Sequence, residues 1–263
     1  MNQNQLSKDS DRRAKEALAL WSVFIVVNVV INGTIPFILG ADLRGWTGSP
    51  IKDVTFNLVT YSGLFLVAPL ILTKGWGTVR QPAFLVPLLV AVLAMTLRTF
   101  VRPVAALAVV MLAYLHWRFN LSELGFRSRG WRRDITAILL IGLLTLVPRL
   151  LQSRPISFAP VQALLAGLDR LFANPATTTE YLFYLGFVAE RLAPRTGKWL
   201  TPVLIGLMYT AHEMTNPEYW YEGMSFVLTF VGVVLITAIY LWRRNVIAIW
   251  LGDGIGRLVS RLF

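Results

Sequence analysis

The chain has 263 residues, 56% of them hydrophobic, a formal net charge of +11 and no cysteine, and its mean hydropathy is +0.60. Soluble domains are only about 45–50% apolar, so this composition excludes a largely soluble protein and favours lipid contact. The absence of cysteine excludes a disulfide framework and a cysteine nucleophile.

Long apolar runs, separated by short polar loops, predict an all-α polytopic membrane helix bundle with about eight or nine transmembrane segments. The positive charges are scattered along the loops, which is typical of residues flanking membrane spans and argues against a nucleic-acid partner. We predict a polar cytoplasmic tail over residues 1–16, either disordered or a short surface helix, and a single transmembrane domain over 17–263.

The apolar segments can be assigned in chain order. The predicted spans are 17–39, 56–72, 83–97, 104–117, 135–151, the stretch from Glu180 to about Arg191, 199–212, 224–242 and a last segment within 245–263. Residues 152–175 hold three prolines and predict a loop or interfacial segment. Basic loops after alternate spans place the amino terminus in the cytoplasm. We expect the protein to lie in the cell membrane of a bacterium or an archaeon.

Glu180 interrupts an apolar run, and a carboxylate inside a membrane segment is a functional-site hypothesis by default. Measured from the basic residue at the cytoplasmic end of each span, Glu180, His212 and Asp253 lie at depths of roughly 16, 21 and 14 Å. They therefore fall in a band about 7 Å thick near mid-membrane. Arg257 lies one turn beyond Asp253, so the two can pair or line one cavity.

Each of these residues also has a purely structural interpretation. Glu180 can be paired inside the bundle, and His212 can be solvated at the outer interface. Asp253 and Arg257 can form a local ion pair. For the neighbouring pair formed by Glu190 and the arginine after it, we expect solvation at the membrane edge.

The segment EYLFYLGFVAERL, which starts at Glu180, resembles the first motif of the CPBP family of intramembrane proteases. This family contains the CAAX prenyl-endopeptidases and bacteriocin-processing relatives. Glu180, Gly186 and Phe187 match the motif's first glutamate, its glycine and its aromatic residue. Tyr181 replaces the second glutamate, and Leu185 replaces the arginine.

The second and third motifs of the family have counterparts further along the chain. Met208 and His212 match the second motif. Asn245 fits the asparagine upstream of the third motif, whose histidine and asparagine are replaced by Asp253 and Arg257. The piece LSELGF before a basic loop also resembles the entry to the family's core.

The resemblance covers residues 119–263 and implies a chemistry. It implies that Glu180 and His212 activate a water molecule for attack on a peptide bond. At the third motif, Asp253 would repel an oxyanion, whereas Arg257 would stabilise one. The catalytic residues implied are therefore Glu180, His212, Arg257 and Asp253, acting on a peptide or membrane protein substrate among membrane lipids.

Three other functions remain open at this stage. A catalytically impaired relative would act as a membrane binding or scaffold protein through the same cavity. Glu180, His212 and Asp253 are also suitable zinc ligands, although the resemblance by itself implies no cofactor. Buried carboxylates serve proton relays as well, so a proton-coupled transporter is the last alternative.

Overall fold

The computed structural model describes residues 3–34, 38, 50–97, 109, 112–127, 130–151, 180–213 and 223–259. Within these ranges the regular structure is helical, and one isolated β-bridge joins Phe126 to Asn245. The predicted all-α class is confirmed. The predicted loop at 152–175 lies outside the described residues.

The helices of the described ranges are named here in chain order. They are α1 (Gln3–Val29), α2 (Pro50–Lys74), α3 (Trp76–Val79), α4 (Pro82–Thr96), α5 (Trp131–Leu151), α6 (Glu190–Glu213), α7 (Gly223–Arg243) and α8 (Val246–Val259). π-helical segments occupy Val30–Thr34, Asn57–Val67 inside α2 and Leu182–Ala189 directly before α6, and a 3₁₀ turn occupies Leu121–Leu124. Helix α6 is broken at Gly197, whose φ of 74° is non-helical.

Within the described ranges, two helices, α2 and residues Phe226–Arg243 of α7, are long and apolar enough to cross a membrane, and α4 is apolar but shorter. Half of the apolar window of α2 is buried within the protein, against 17% for α7. On α4, Val86 and Leu93 are each 60% exposed. Large apolar side chains that face outward on several helices are typical of a surface covered by lipid or by another protein.

The predicted boundary after residue 16 does not coincide with a structural boundary. Helix α1 runs through it without interruption, and Ala14 and Ala17 on either side are both buried. Helix α1 packs along α6, and the Asp11 carboxylate lies 3.1 Å from the Arg195 guanidinium. The described part of the polar tail is therefore a helix docked on the bundle, because small alanines let its backbone approach α6.

Glycines set the spacing of α5 and α8, which pack closely against each other. A Cβ at Gly252 would lie 2.7 Å from the Ile138 carbonyl oxygen, and one at Gly256 would lie 2.7 Å from that of Gly142. Small residues four apart allow this kind of close helix approach within membranes. Asp253, next to Gly252, is thereby held against α5.

The LSELGF piece packs on the segment that follows Glu180. A Cβ at Gly186 would overlap the Leu124 carbonyl, which explains why the matched motif position holds glycine. The Gly125 carbonyl accepts a hydrogen bond of 2.9 Å from the Val246 amide at the start of α8. The 3₁₀ turn is thus fixed between the π-helical segment before α6 and α8.

The carboxyl-terminal ends of α2 and α7 lie at one end of the bundle. The Glu190 carboxylate forms an ion pair of 2.6 Å with Arg244, which directly follows α7. Arg191 donates to the Thr73 hydroxyl near the end of α2 at 3.2 Å, and its guanidinium lies 3.6 Å over the Phe187 ring. Our expectation that this pair is solvated is wrong for Glu190, whose side chain is 12% exposed, because Arg244 and the Tyr240 hydroxyl contact its carboxylate.

The basic loop that precedes α5 joins the same end of the bundle. The Lys74 ammonium donates to the Arg118 carbonyl at 3.3 Å. Arg243, with 1% of its side chain exposed, forms an ion pair of 2.8 Å with Asp134 in the first turn of α5. The described parts of the loops predicted to be cytoplasmic therefore lie together.

Candidate functional site

The hydroxyl of Tyr61 connects Glu180 to His212. It donates to the Glu180 Oε1 at 2.7 Å and lies 3.4 Å from the His212 Nε2. The carboxylate and the imidazole are consequently no farther apart than the sum of these distances, 6.1 Å. All three side chains are buried, with 3% of Tyr61, 8% of Glu180 and 4% of His212 exposed.

The other ring nitrogen of His212 also contacts a tyrosine. The Tyr184 hydroxyl lies 2.7 Å from Nδ1. Tyr61 gives its single proton to Glu180, so its oxygen accepts from the Nε2 proton of His212. In the neutral ring Nδ1 then accepts the Tyr184 proton. The four side chains form one directional chain of hydrogen bonds, from Tyr184 through His212 and Tyr61 to Glu180.

Aromatic rings surround the imidazole. Those with centroids 5.3–6.1 Å from the centroid of His212 are Phe24 of α1, Phe56, Tyr61 and Phe65 of α2, Tyr184, and Tyr209 of α6. Such an apolar wall keeps bulk water away from the hydrogen-bond chain and strengthens its electrostatics. Four separate parts of the chain build this enclosure.

Two π-helical segments carry the two tyrosines whose hydroxyls contact His212. Tyr61 lies in Asn57–Val67, and Tyr184 lies in Leu182–Ala189, every residue of which is buried. A π-helical turn bonds over five residues, which changes the side chains that face the interior. Short π-helical stretches often mark functional sites, and here they aim Tyr61 and Tyr184 at opposite nitrogens of His212.

Asp253 and Arg257 form a second, adjoining cluster. Arg257 Nε donates to Asp253 Oδ2 at 2.9 Å, and Thr145 Oγ1 donates to Asp253 Oδ1 at 3.4 Å. Tyr181 also makes a side-chain hydrogen bond to Asp253. The predicted pairing is therefore present. Tyr181 and Arg257 both bind the Asp253 carboxylate, and all three residues occupy positions at which the chain departs from the motifs it resembles.

A cavity of about 440 Å³ lies between the π-helical segment, α5, α6, α7 and α8. Its polar lining consists of Thr145, Tyr181, Tyr184, Thr229, Tyr209, Glu213, Asp253 and Arg257. Among the described residues, Glu180 and His212 do not line it. Tyr184 belongs to both places, because its hydroxyl contacts His212 and its side chain forms part of the cavity wall.

The structure thus divides the four predicted site residues into two neighbouring pairs. Glu180 lies with His212, and Asp253 lies with Arg257. The three potential zinc ligands are distributed over both pairs. Within the part of the chain that the structure describes, no group of three His, Cys, Asp or Glu side chains is arranged to hold a metal ion.

Two other motif positions have structural contacts. Met208 is fully buried in the core one turn before His212. The Asn245 side chain accepts from the amides of Ile247 at 3.1 Å and Ala248 at 3.4 Å, so it caps the start of α8. Both residues hold the helices that carry the site.

Sequence reasoning missed Tyr61 and Tyr184, which bind the two predicted residues directly. A signal for Tyr184 was available, since it follows Glu180 by about one helical turn and lies on the same side. No local signal identified Tyr61, which is 119 residues from Glu180. No family model, curated protein or solved structure matches the chain.

Proposed function

We propose that the chain is an integral membrane protein with eight or nine spans and a cytoplasmic amino terminus, in a bacterial or archaeal membrane. The length and apolar character of α2 and α7 support this placement. The convergence of the basic loops at one end of the bundle supports the orientation, because basic loops are retained in the cytoplasm.

Within this membrane protein, we propose an endopeptidase of the CPBP type that cleaves a peptide or membrane protein substrate. One observation carries the proposal: Glu180 and His212 share the Tyr61 hydroxyl inside an aromatic enclosure. A carboxylate and an imidazole joined in this way can hold and transfer the proton of a nucleophilic water.

The reaction is a simple hydrolysis. Glu180 takes a proton from water while the water oxygen bonds to the carbonyl carbon of the substrate. The C–N bond then breaks, and the proton passes to the leaving amine nitrogen. His212, held in one tautomer by Tyr61 and Tyr184, orients the water and shares the proton.

The adjoining cavity supplies the place for the substrate. Its volume of about 440 Å³ falls in the range of ordinary ligand sites. Arg257 in its wall provides positive charge for the developing oxyanion, and Asp253 holds that guanidinium in position at 2.9 Å. Tyr184 belongs to this wall and contacts His212, so the proposal requires the scissile bond to pass beside Tyr184 before it meets the pair.

Cleavage in H₂¹⁸O tests the reaction, with Tyr61→Phe as the informative variant. Wild-type protein should release peptides that carry ¹⁸O in the new carboxylate. A hydrogen bond to a charged group contributes about 1.5–3 kcal/mol, so losing the Tyr61 hydroxyl should slow cleavage roughly ten- to a hundredfold. Mass spectrometry of the products measures both effects.

Tyr240→Phe is the matched control for this experiment. Tyr240 donates to Glu190 at 2.7 Å, the same distance as that from Tyr61 to Glu180. Its loss should leave the cleavage rate unchanged. Equal rates for wild type and Tyr61→Phe, or no ¹⁸O in any product, would exclude hydrolysis through this pair.

One observation favours a second function, a non-catalytic membrane binding or scaffold protein. The cavity wall lacks Glu180 and His212, so a ligand in the cavity would not touch them directly. In this case the wild type binds peptides without turnover. The hydrogen-bond chain would then stabilise the wall through Tyr184.

Filling the cavity tests whether it is the ligand site in either function, whereas turnover of a bound peptide by the wild type separates the two functions. Gly232 lines it, and a Cβ there meets nothing within 4 Å, so Gly232→Leu should fold and occupy the cavity. We expect peptide binding by fluorescence anisotropy to fall at least tenfold, since a ligand that must displace a packed leucine loses its own apolar burial. Gly254→Leu, also in open space but outside the cavity wall, is the control. Unchanged binding in Gly232→Leu would show that the cavity is not the ligand site.

A further inference from the structure

A basic pocket of about 290 Å³ opens at the end of the bundle where α2 finishes. Its positive residues come from α1, the end of α2, the turn after residue 116 and the start of α6: they are Arg12, Arg13, Lys74, Arg118 and Arg191. Glu16 is the one acidic residue among its described lining residues, so the wall carries a net charge of about +4. Segments distant in sequence thus bring like charges together.

Neutral groups orient two of these cations. The Lys74 ammonium donates to the Arg118 carbonyl at 3.3 Å and lies 5.3 Å over the Phe119 ring. Arg191 donates to the Thr73 hydroxyl at 3.2 Å. These contacts fix the positions of the two side chains.

Arg12 lies 3.9 Å from Glu16 and 3.8 Å from Asp9, so part of the charge is offset within the protein. The net positive charge of the wall remains unfavourable unless an anion offsets the repulsion.

The pocket lies at the level where lipid headgroups are expected. Lys74 is the last residue of α2, one of the helices able to cross a membrane. Trp76 follows it, is 52% exposed and stacks with the Arg80 guanidinium at 4.8 Å. An exposed tryptophan beside basic residues at the end of a span is typical of the membrane interface.

We propose that this pocket binds a phosphate group, presented by the headgroup of an anionic phospholipid or by a soluble phosphate compound. Arginine guanidinium groups pair with phosphate oxygens through two parallel hydrogen bonds, and lysine adds a compact charge. The site is separate from Glu180 and His212, so it does not depend on peptide cleavage.

Calorimetric titration of the full chain in an uncharged detergent tests the site. The probes are short-chain phosphatidic acid, short-chain phosphatidylcholine as the lipid without net charge, and inorganic phosphate. We expect phosphatidic acid to bind and phosphatidylcholine not to bind. The double variant Arg13→Glu with Arg118→Glu should weaken binding of phosphatidic acid on the order of tenfold or more, because it reverses two charges of the pocket.

The matched control reverses two charges outside the pocket. Arg132 and Arg133, both exposed at the start of α5, do not line it. Arg132→Glu with Arg133→Glu should bind phosphatidic acid as the wild type does. Arg13→Glu alone, on the exposed side of α1, provides a variant that keeps the turn at Arg118 intact and should show part of the loss.

The outcomes separate the two sources of phosphate. Displacement of phosphatidic acid by inorganic phosphate at comparable concentration assigns the site to soluble phosphate compounds. Binding of phosphatidic acid that resists inorganic phosphate assigns it to a lipid headgroup. Equal affinity of the pocket variants and the wild type, or an equal loss in the control variant, would overturn the proposal.

Discussion

Replacing Glu180 by glutamine should abolish peptide cleavage while the protein remains folded. In the wild type Tyr61 donates a hydrogen bond of 2.7 Å to Glu180. Glutamine keeps an oxygen that can accept this bond, so the enclosure around His212 is retained. It cannot accept the proton of water. General base catalysis contributes about 10²–10⁴-fold, so the rate should fall by at least that factor.

The chain offers a matched control in Glu190→Gln. Glu190 also accepts from a tyrosine at 2.7 Å, but it pairs with Arg244 at the basic end of the bundle. Its replacement should lower stability and leave the cleavage rate of the folded fraction unchanged. The rates come from product mass spectrometry, and the folded fraction comes from thermal unfolding.

Two results would contradict the assignment of Glu180. If Glu180→Gln cleaves as fast as the wild type, the carboxylate is not the base. If Glu190→Gln loses cleavage to the same extent as Glu180→Gln, the effect reflects the general cost of neutralising a buried glutamate. Loss in Glu180→Gln alone would distinguish a hydrolase from a membrane scaffold.

Replacing Asp134 by alanine should strongly destabilise the protein. Arg243 has 1% of its side chain exposed and pairs with Asp134 at 2.8 Å, so the change leaves a buried guanidinium without this carboxylate. Breaking a buried ion pair by removing one partner costs about 3–5 kcal/mol. The pair joins α5 to α7, both of which line the cavity. Denaturant unfolding in detergent micelles measures the loss.

A surface ion pair provides the comparison. Asp9 lies 3.8 Å from Arg12 on α1, and the side chains are 52% and 68% exposed. Asp9→Ala should change the free energy of unfolding by only about 0–1 kcal/mol. The double variant Asp134→Leu with Arg243→Met should recover much of the lost stability, because it removes both charges together. Similar small losses for Asp134→Ala and Asp9→Ala would contradict the buried-pair argument.

Local patterns predicted the helices well. The spans predicted at 83–97 and 224–242 correspond to Pro82–Thr96 and Gly223–Arg243. In lipid, a continuous apolar run is most stable as a helix, because a helix pairs its own backbone N–H and C=O groups where water is absent. The pairing of Asp253 with Arg257 was also accessible, because residues four apart share one helix face.

Helix boundaries set by composition alone were less accurate. The predicted tail at 1–16 is largely part of α1, which begins at Gln3, and the predicted span at 56–72 is part of a helix that begins at Pro50. Polar residues in a chain of this kind can extend a helix beyond its apolar window when they pack against the rest of the protein. Asp11 does so on α1, through its ion pair of 3.1 Å with Arg195.

The sequence by itself determined the all-α class, the apolar helices and the unusual polar residues inside them, since hydrophobicity and helical spacing are local properties. Tertiary structure decided which of these residues meet. It joined Glu180 to His212 through Tyr61, across separations of 119 and 151 residues, and placed Asp253 in the adjoining cavity wall. Depth along a helix follows from counting residues, whereas the direction of a side chain depends on helix rotation. Here that rotation is set by π-helical turns and by the close approach of helices at Gly186 and Gly252.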